Sequence, residues 1–205
     1  MKPEIIFRFL FILAFLAMLS IRIYFQSKVL REPRKVDYRE GALSLAAGSV
    51  AALVTIVFGA EYILSPGTFA FAYWIPLPSW LRWIGAIMLA TGIILLASAH
   101  THLGRSFHSL IVTKQDQTFV DSGPYRWIRH PIYTAYLINY AGGGLLAGNW
   151  VLTFVPVLMF GMLVAIRVGR EEQVLIDQFG EPYIDYMQRT GRLIPKINTA
   201  DSQRE

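Results

Sequence analysis

Runs of about twenty apolar residues, separated by loops of very different charge, constrain this chain more than any other feature. A helix needs roughly 17 to 25 apolar residues to cross a bilayer core. The first run, about residues 5–25, is interrupted only by Arg8 and Arg22 near its ends, where long side chains can snorkel. Further runs cover about 43–64, 80–100, 131–148 and 150–166. The sequence therefore predicts an all-α integral membrane protein with five transmembrane helices. No small-x-small cleavage site follows the first run, and the chain is more basic after it than before, so it reads as a retained span.

Composition agrees. Of 205 residues, 54% are hydrophobic and 16% charged, against about 25% charged in a typical soluble domain. The absence of cysteine excludes disulfides, thiolate catalysis and thiolate metal sites. A formal charge of +5 could point to nucleic acid, but the basic residues do not gather on one surface. They alternate from loop to loop instead. The segment 26–40 carries Lys28, Arg31, Arg34, Lys35 and Arg39, and 101–130 carries Arg105, Lys114, Arg126 and Arg129. The tail from Arg167 onward is basic too, whereas the loop 65–79 has no charge. By the positive-inside rule the basic segments are cytoplasmic and the N-terminus is outside.

The loop 65–79 holds three prolines and several aromatics, and reads as interfacial. Glu61 and Arg82, which flank it, are read as snorkelling or as paired with each other. Fourth and fifth spans separated only by Asn149-Trp150 form a tight antiparallel hairpin. Beyond them the tail 167–205 reads as two short helices. One runs from Glu171 to Phe179 and stops at Gly180; the other starts at Pro182, with Tyr183, Tyr186 and Met187 on one face.

Two polar clusters stand out against this apolar background. The block 123–133 reads Gly-Pro-Tyr-Arg-Trp-Ile-Arg-His-Pro-Ile-Tyr. Arg126, Trp127 and Arg129 suit lipid phosphates and the aromatic belt of a membrane interface. His130 and Pro131 do more, because Pro fixes the first turn of a helix whose free N–H groups face the loop. Arg167 and Glu171, four apart, share a helix face where the fifth span ends. The hairpin sets His130 and Tyr133 opposite them, gathering His, Tyr, Arg and Glu into one site.

Other motifs carry less. His100 and His102 are two apart, where helical metal ligands favour three or four, so no metal site is expected. Gly142-Gly143-Gly144 has no strand before it and reads as a close-packing surface rather than a phosphate loop. No dinucleotide fingerprint occurs.

The ordered set of motifs resembles the isoprenylcysteine carboxyl methyltransferase family. It comprises Leu103 to Phe107, Phe119 to Tyr125, Arg129-His130-Pro131-Ile132-Tyr133, Glu171-Glu172, Phe179-Gly180, Tyr183, Tyr186, and Arg192-Leu193-Ile194-Pro195. The likeness covers about the C-terminal half, and the five-span layout is similar to the short prokaryotic branch. The resemblance implies one membrane methyltransferase domain over 1–205, with a cofactor loop at 101–130. It implies S-adenosylmethionine as cofactor, held on the cytoplasmic side by Gln117, Thr118, Phe119, Val120, Tyr125, His130, Pro131, Tyr133 and Glu171. Arg167 would face the acceptor. Where many relatives carry His this chain has Gln117, whose amide still donates and accepts hydrogen bonds.

The implied reaction is methyl transfer to a lipophilic acceptor, above all the carboxylate of a prenylcysteine-like or other lipid-linked substrate, giving a methyl ester, with membrane lipids as the other partner. A phospholipid amine methyltransferase would use the same cofactor site but needs a base to deprotonate its acceptor. Membrane sterol reductases share a similar Arg-His-Pro-x-Tyr tail and use NADPH, yet they are longer. A membrane scaffold merely anchored by the polar block is the non-enzymatic alternative.

Overall fold

In the computed structural model, which describes residues 3–30, 42–107 and 119–196, the chain is built of α-helices. They are α1 (Pro3–Leu30), α2 (Ala42–Leu64), α3 (Ser79–Phe107), α4 (Pro131–Ala147), α5 (Trp150–Phe179) and α6 (Glu181–Arg189). Single 3-10 turns lie at Ala70–Tyr73 and Gly123–Arg126. Among the described residues four helical stretches are long and apolar enough to cross a membrane: Pro3–Phe25, Ala42–Leu64, Ser79–Leu103 and Trp150–Phe179. The remaining expected span is α4, whose 17 residues extend about 25 Å, against about 30 Å for a hydrocarbon core. Large apolar side chains such as Phe9 (64% exposed) and Ile94 (69%) point outward, the reverse of a water-soluble bundle.

The fifth span and the first tail helix are not separate: α5 runs unbroken through Arg167 and Glu172 to Phe179. The end of the apolar run was not the end of the helix, because Arg and Glu are good helix formers in water. The stop comes at Gly180, with φ +63° and its N–H bonded to the Ile176 carbonyl at 2.8 Å. The second tail helix is present as α6, with Tyr183 and Tyr186 buried.

The chain divides into two compact units, Met1–Ile94 with Ala135–Arg167, and Leu95–Thr134 with Val168–Glu205. In the first, Phe7, Phe11, Tyr62, Leu89, Leu146 and Leu152 form the apolar core. The glycine stripe on α4 is the close-packing surface its composition implied. A Cβ on Gly142 would lie 2.9 Å from the Gly85 carbonyl, and one on Gly85 would lie 2.6 Å from the Leu146 nitrogen. The α4–α5 hairpin turns at Gly148, with φ +67°, and the buried Asn149 caps α5 by accepting from the Leu152 N–H at 2.9 Å.

Glu61 and Arg82 do not pair with each other. Arg82 forks onto Glu4 at 2.6 and 3.1 Å, donates to the Tyr62 hydroxyl at 2.9 Å, and reaches the Leu146 carbonyl at 2.8 Å. Glu61 instead ties down the loop after α2, accepting from Tyr73 Oη at 2.6 Å and the Gly67 N–H at 2.7 Å. Glu4, some eighty positions from Arg82 in sequence, was the partner that spacing could not reveal. This cluster joins the start of α1, the end of α2, the start of α3 and the end of α4. The four helices therefore alternate in direction.

In the second unit, Phe119 packs edge-on to Tyr183 with centroids 5.3 Å apart, and lies 4.9 Å from Tyr186. Tyr186 donates its hydroxyl to the Tyr125 carbonyl at 2.7 Å. The segment after α6 then runs beside the turn before α4. Gly191 and Ile128 form a parallel bridge, in which Arg129 N–H reaches the Gly191 carbonyl at 2.8 Å and Gly191 N–H the Trp127 carbonyl at 3.1 Å.

Candidate active site

Pro131 opens α4 because its ring presets the helical φ and its missing N–H is one that the first turn leaves unbonded anyway. The residue before it, His130, is thereby placed at the helix mouth, with its backbone N–H bonded to the Arg192 carbonyl at 3.1 Å. Tyr133 follows one turn along, its ring stacked on that of His130 at 5.7 Å between centroids and 14° between planes.

The polar extension of α5 supplies the other side. Tyr133 Oη donates to Glu171 Oε1 at 2.7 Å. Glu171 Oε2 lies 3.7 Å from His130 Nδ1, and Glu172 Oε1 lies 3.4 Å from His130 Nε2. The imidazole thus sits between two adjacent carboxylates of one helix. Burial holds the His130 pKa below the ordinary imidazole range; Glu171 and Glu172 pull it upward without overcoming that effect, and Arg129 adds a smaller downward push. His130 Nε2 is buried and makes no aligned hydrogen bond to the described residues.

The two carboxylates differ in their surroundings. Glu172, 3% exposed, takes Arg129 Nε on Oε1 at 2.9 Å and Arg192 Nη2 on Oε2 at 2.5 Å. Arg129 also donates to the carbonyls of Met187, at 3.0 Å, and Thr190. Arg129 does not serve the membrane interface that its sequence context suggests. Its side chain is only 9% exposed, and it cross-links the helix mouth to α5 and the segment after α6. Arg126 and Trp127 remain exposed, with the guanidinium 5.4 Å from the indole centroid.

The other expected site residues fall as follows. Tyr125 is buried in the 3-10 turn, where its carbonyl accepts from the Tyr186 hydroxyl, and burial raises its phenol pKa above the usual range. Phe119 belongs to the aromatic cluster with Tyr183 and Tyr186, and Val120 is half-buried. Gln117 and Thr118 lie outside the described residues. Arg167 is half-buried on α5, one turn before Glu171 on the same face. Sequence reasoning missed the joint role of Arg129, Glu172, Thr190 and Arg192. All but Thr190 stood in the quoted motifs, but their mutual contact depends on a segment some sixty residues away.

Comparison with known proteins adds to this geometry. A sequence model described as the isoprenylcysteine carboxyl methyltransferase family matches residues 83–177. Protein-S-isoprenylcysteine O-methyltransferase A of Arabidopsis thaliana is 31% identical over 140 residues, covering 67% of this chain and 68% of that protein. The chain belongs to the isoprenylcysteine carboxyl methyltransferase family. The family's Schizosaccharomyces pombe protein-S-isoprenylcysteine O-methyltransferase is 32% identical over 111 residues, 53% of this chain. This chain spans about half the length of that relative (47%). A solved structure of the eukaryotic intramembrane Ras methyltransferase of the family shares the fold, with a TM-score of 0.57 at 23% identity. The match covers 96% of this chain and 68% of that one.

Proposed function

We propose that this protein is an S-adenosylmethionine-dependent methyltransferase that esterifies the carboxylate of a lipid-linked acceptor of the prenylcysteine type. The cluster of His130, Tyr133 and Glu171 carries the reading, and membership of the methyltransferase family supports it.

The residues fit such a cofactor. Glu171 offers a carboxylate to an ammonium or a hydroxyl, and the buried His130 Nε2 has hydrogen-bonding capacity that the described residues do not use in aligned form. His130, Pro131, Tyr133 and Glu171 would hold it, with Tyr125, Phe119 and Val120 alongside and Gln117 and Thr118 contributed by the preceding loop. Bound S-adenosylmethionine supplies an electrophilic methyl on a positively charged sulfonium. The protein's share is to orient and to exclude water. An acceptor carboxylate is ionised at neutral pH, so no side chain must act as general base. His130, held neutral, adds no positive charge beside a cationic cofactor.

Arg167 would hold the acceptor carboxylate, bidentately where geometry permits. Its position one helical turn before Glu171 on a continuous α5 supports this role. The alternation of basic and uncharged loops supports a cytoplasmic site, a cytoplasmic C-terminus and an N-terminus outside. The two units would work as one methyltransferase domain.

Calorimetry on detergent-solubilised protein tests the assignment. Wild type should bind S-adenosylmethionine, and Glu171→Gln should bind it at least tenfold more weakly. Arg167→Ala should impair use of a farnesylcysteine analogue more than cofactor binding. Absence of cofactor binding by wild type would reject the reading, and an Arg167 variant defective mainly in cofactor binding would reject that residue's role.

A further inference from the structure

Arg192 reaches His130 by two routes, one direct and one through Glu172. Its carbonyl accepts the His130 backbone N–H at 3.1 Å, while its guanidinium donates to Glu172 Oε2 at 2.5 Å. The other oxygen of Glu172 faces the His130 ring nitrogen Nε2 at 3.4 Å. Backbone, guanidinium, carboxylate and imidazole thus close a ring that begins and ends at His130.

The segment carrying Arg192 is itself pinned. Thr134 donates its hydroxyl to the Leu193 carbonyl at 2.7 Å, and Arg129 donates to the Thr190 carbonyl. A Cβ on Gly191 would collide with the Ile194 carbonyl, so the backbone there passes too close for any side chain. Glycine is required at 191 for this approach. An arginine 55% exposed would ordinarily form a weak surface pair, but its partner Glu172 is 3% exposed and cannot be satisfied by water.

We propose that Arg192 is a positioning residue, which through Glu172 fixes the orientation and charge state of His130 for cofactor binding. The role in cofactor binding rests on the function proposed above. Among the described residues, the charged and titratable groups facing His130 are Glu171 and Glu172 from α5, Arg129 from the preceding turn and Tyr133 from α4, with Arg192 acting through Glu172. Both guanidiniums, of Arg129 and Arg192, bind Glu172. Removing the charge of Arg192 leaves the negative charge of Glu172 less compensated beside the imidazole, which favours imidazolium. Protonated His130 would then repel a cationic cofactor.

Two measurements on full-length protein in detergent test this: titration of His130 by NMR with ring-labelled histidine, and the pH profile of S-adenosylmethionine affinity. Arg192→Gln should raise the His130 midpoint by about half a pH unit or more, and shift the acid limb of cofactor affinity upward with it. Glu172→Gln should move the midpoint the other way. Arg192→Lys restores the charge and should return the midpoint to wild type. An unchanged midpoint in Arg192→Gln, or equal shifts in the lysine and glutamine variants, would overturn the proposal. Should wild type fail to bind S-adenosylmethionine, the functional reading falls, and the NMR titration alone still decides whether Arg192 sets the state of His130.

Discussion

Tyr133 Oη donates to Glu171 Oε1 at 2.7 Å, and this bond ties the first turn of α4 to the polar extension of α5. It orients a carboxylate that the proposed chemistry needs for its cofactor. A hydrogen bond to a charged group contributes about 1.5–3 kcal/mol. Tyr133→Phe should therefore weaken S-adenosylmethionine binding roughly tenfold or more without unfolding the protein, as calorimetry beside a thermal melt would report. Unchanged affinity would show that Glu171 needs no such orientation.

Arg129 is the strongest structural prediction. Replacing it with Ala strips one of two guanidiniums from a carboxylate that is 3% exposed. Arg192 still compensates Glu172, so the loss is that of the hydrogen bonds Arg129 makes, about 1.5–3 kcal/mol for the one to the carboxylate. Detergent thermal unfolding should show a large loss of stability, well beyond that of Arg126→Ala, whose side chain is exposed. Equal effects would return Arg129 to the interface role read from its sequence context.

That contrast shows what the sequence could and could not convey. The spans were legible because their period and length are local properties of the chain. His130, Tyr133 and Glu171 were legible because the short Asn149-Trp150 break forces α4 and α5 to run antiparallel. The partners of Arg82, Arg129 and Glu172 were not. Each depends on which of several ions the fold brings within reach, and a formal charge looks the same in all of them. The continuity of α5 was misread for a related reason: an apolar run marks where the bilayer ends, whereas a helix ends where its backbone bonding stops, here at Gly180.

The pH dependence follows from His130. Its pKa in the folded protein is depressed by burial, below an unfolded value of about 6.5. As pH falls, the unfolded chain takes up the proton first, so stability is complete above about 6.5 and is lost as pH drops from there toward the folded value. The thermal midpoint should decline between pH 7 and 5.5, and His130→Gln should remove part of that decline. An identical decline in the variant would assign the effect to other groups.

The glycine contacts between α3 and α4 make a separate prediction for the membrane unit. Gly85→Ala places a methyl 2.6 Å from the Leu146 nitrogen, and backbone on both sides leaves it little room to move. Overpacking of this kind costs about 1–3 kcal/mol. Gly161→Ala, where nothing lies within 4 Å, is the control and should be nearly silent. Comparable losses for the two would contradict the close approach of α3 and α4.

The central claim is methyl transfer to a carboxylate. Purified protein incubated with methyl-labelled S-adenosylmethionine and a farnesylcysteine analogue should form a labelled product that releases volatile methanol on treatment with base, and Glu171→Gln should form far less of it. Label that is incorporated but stable to base, or no incorporation by a protein that binds both compounds, would contradict carboxylate methylation.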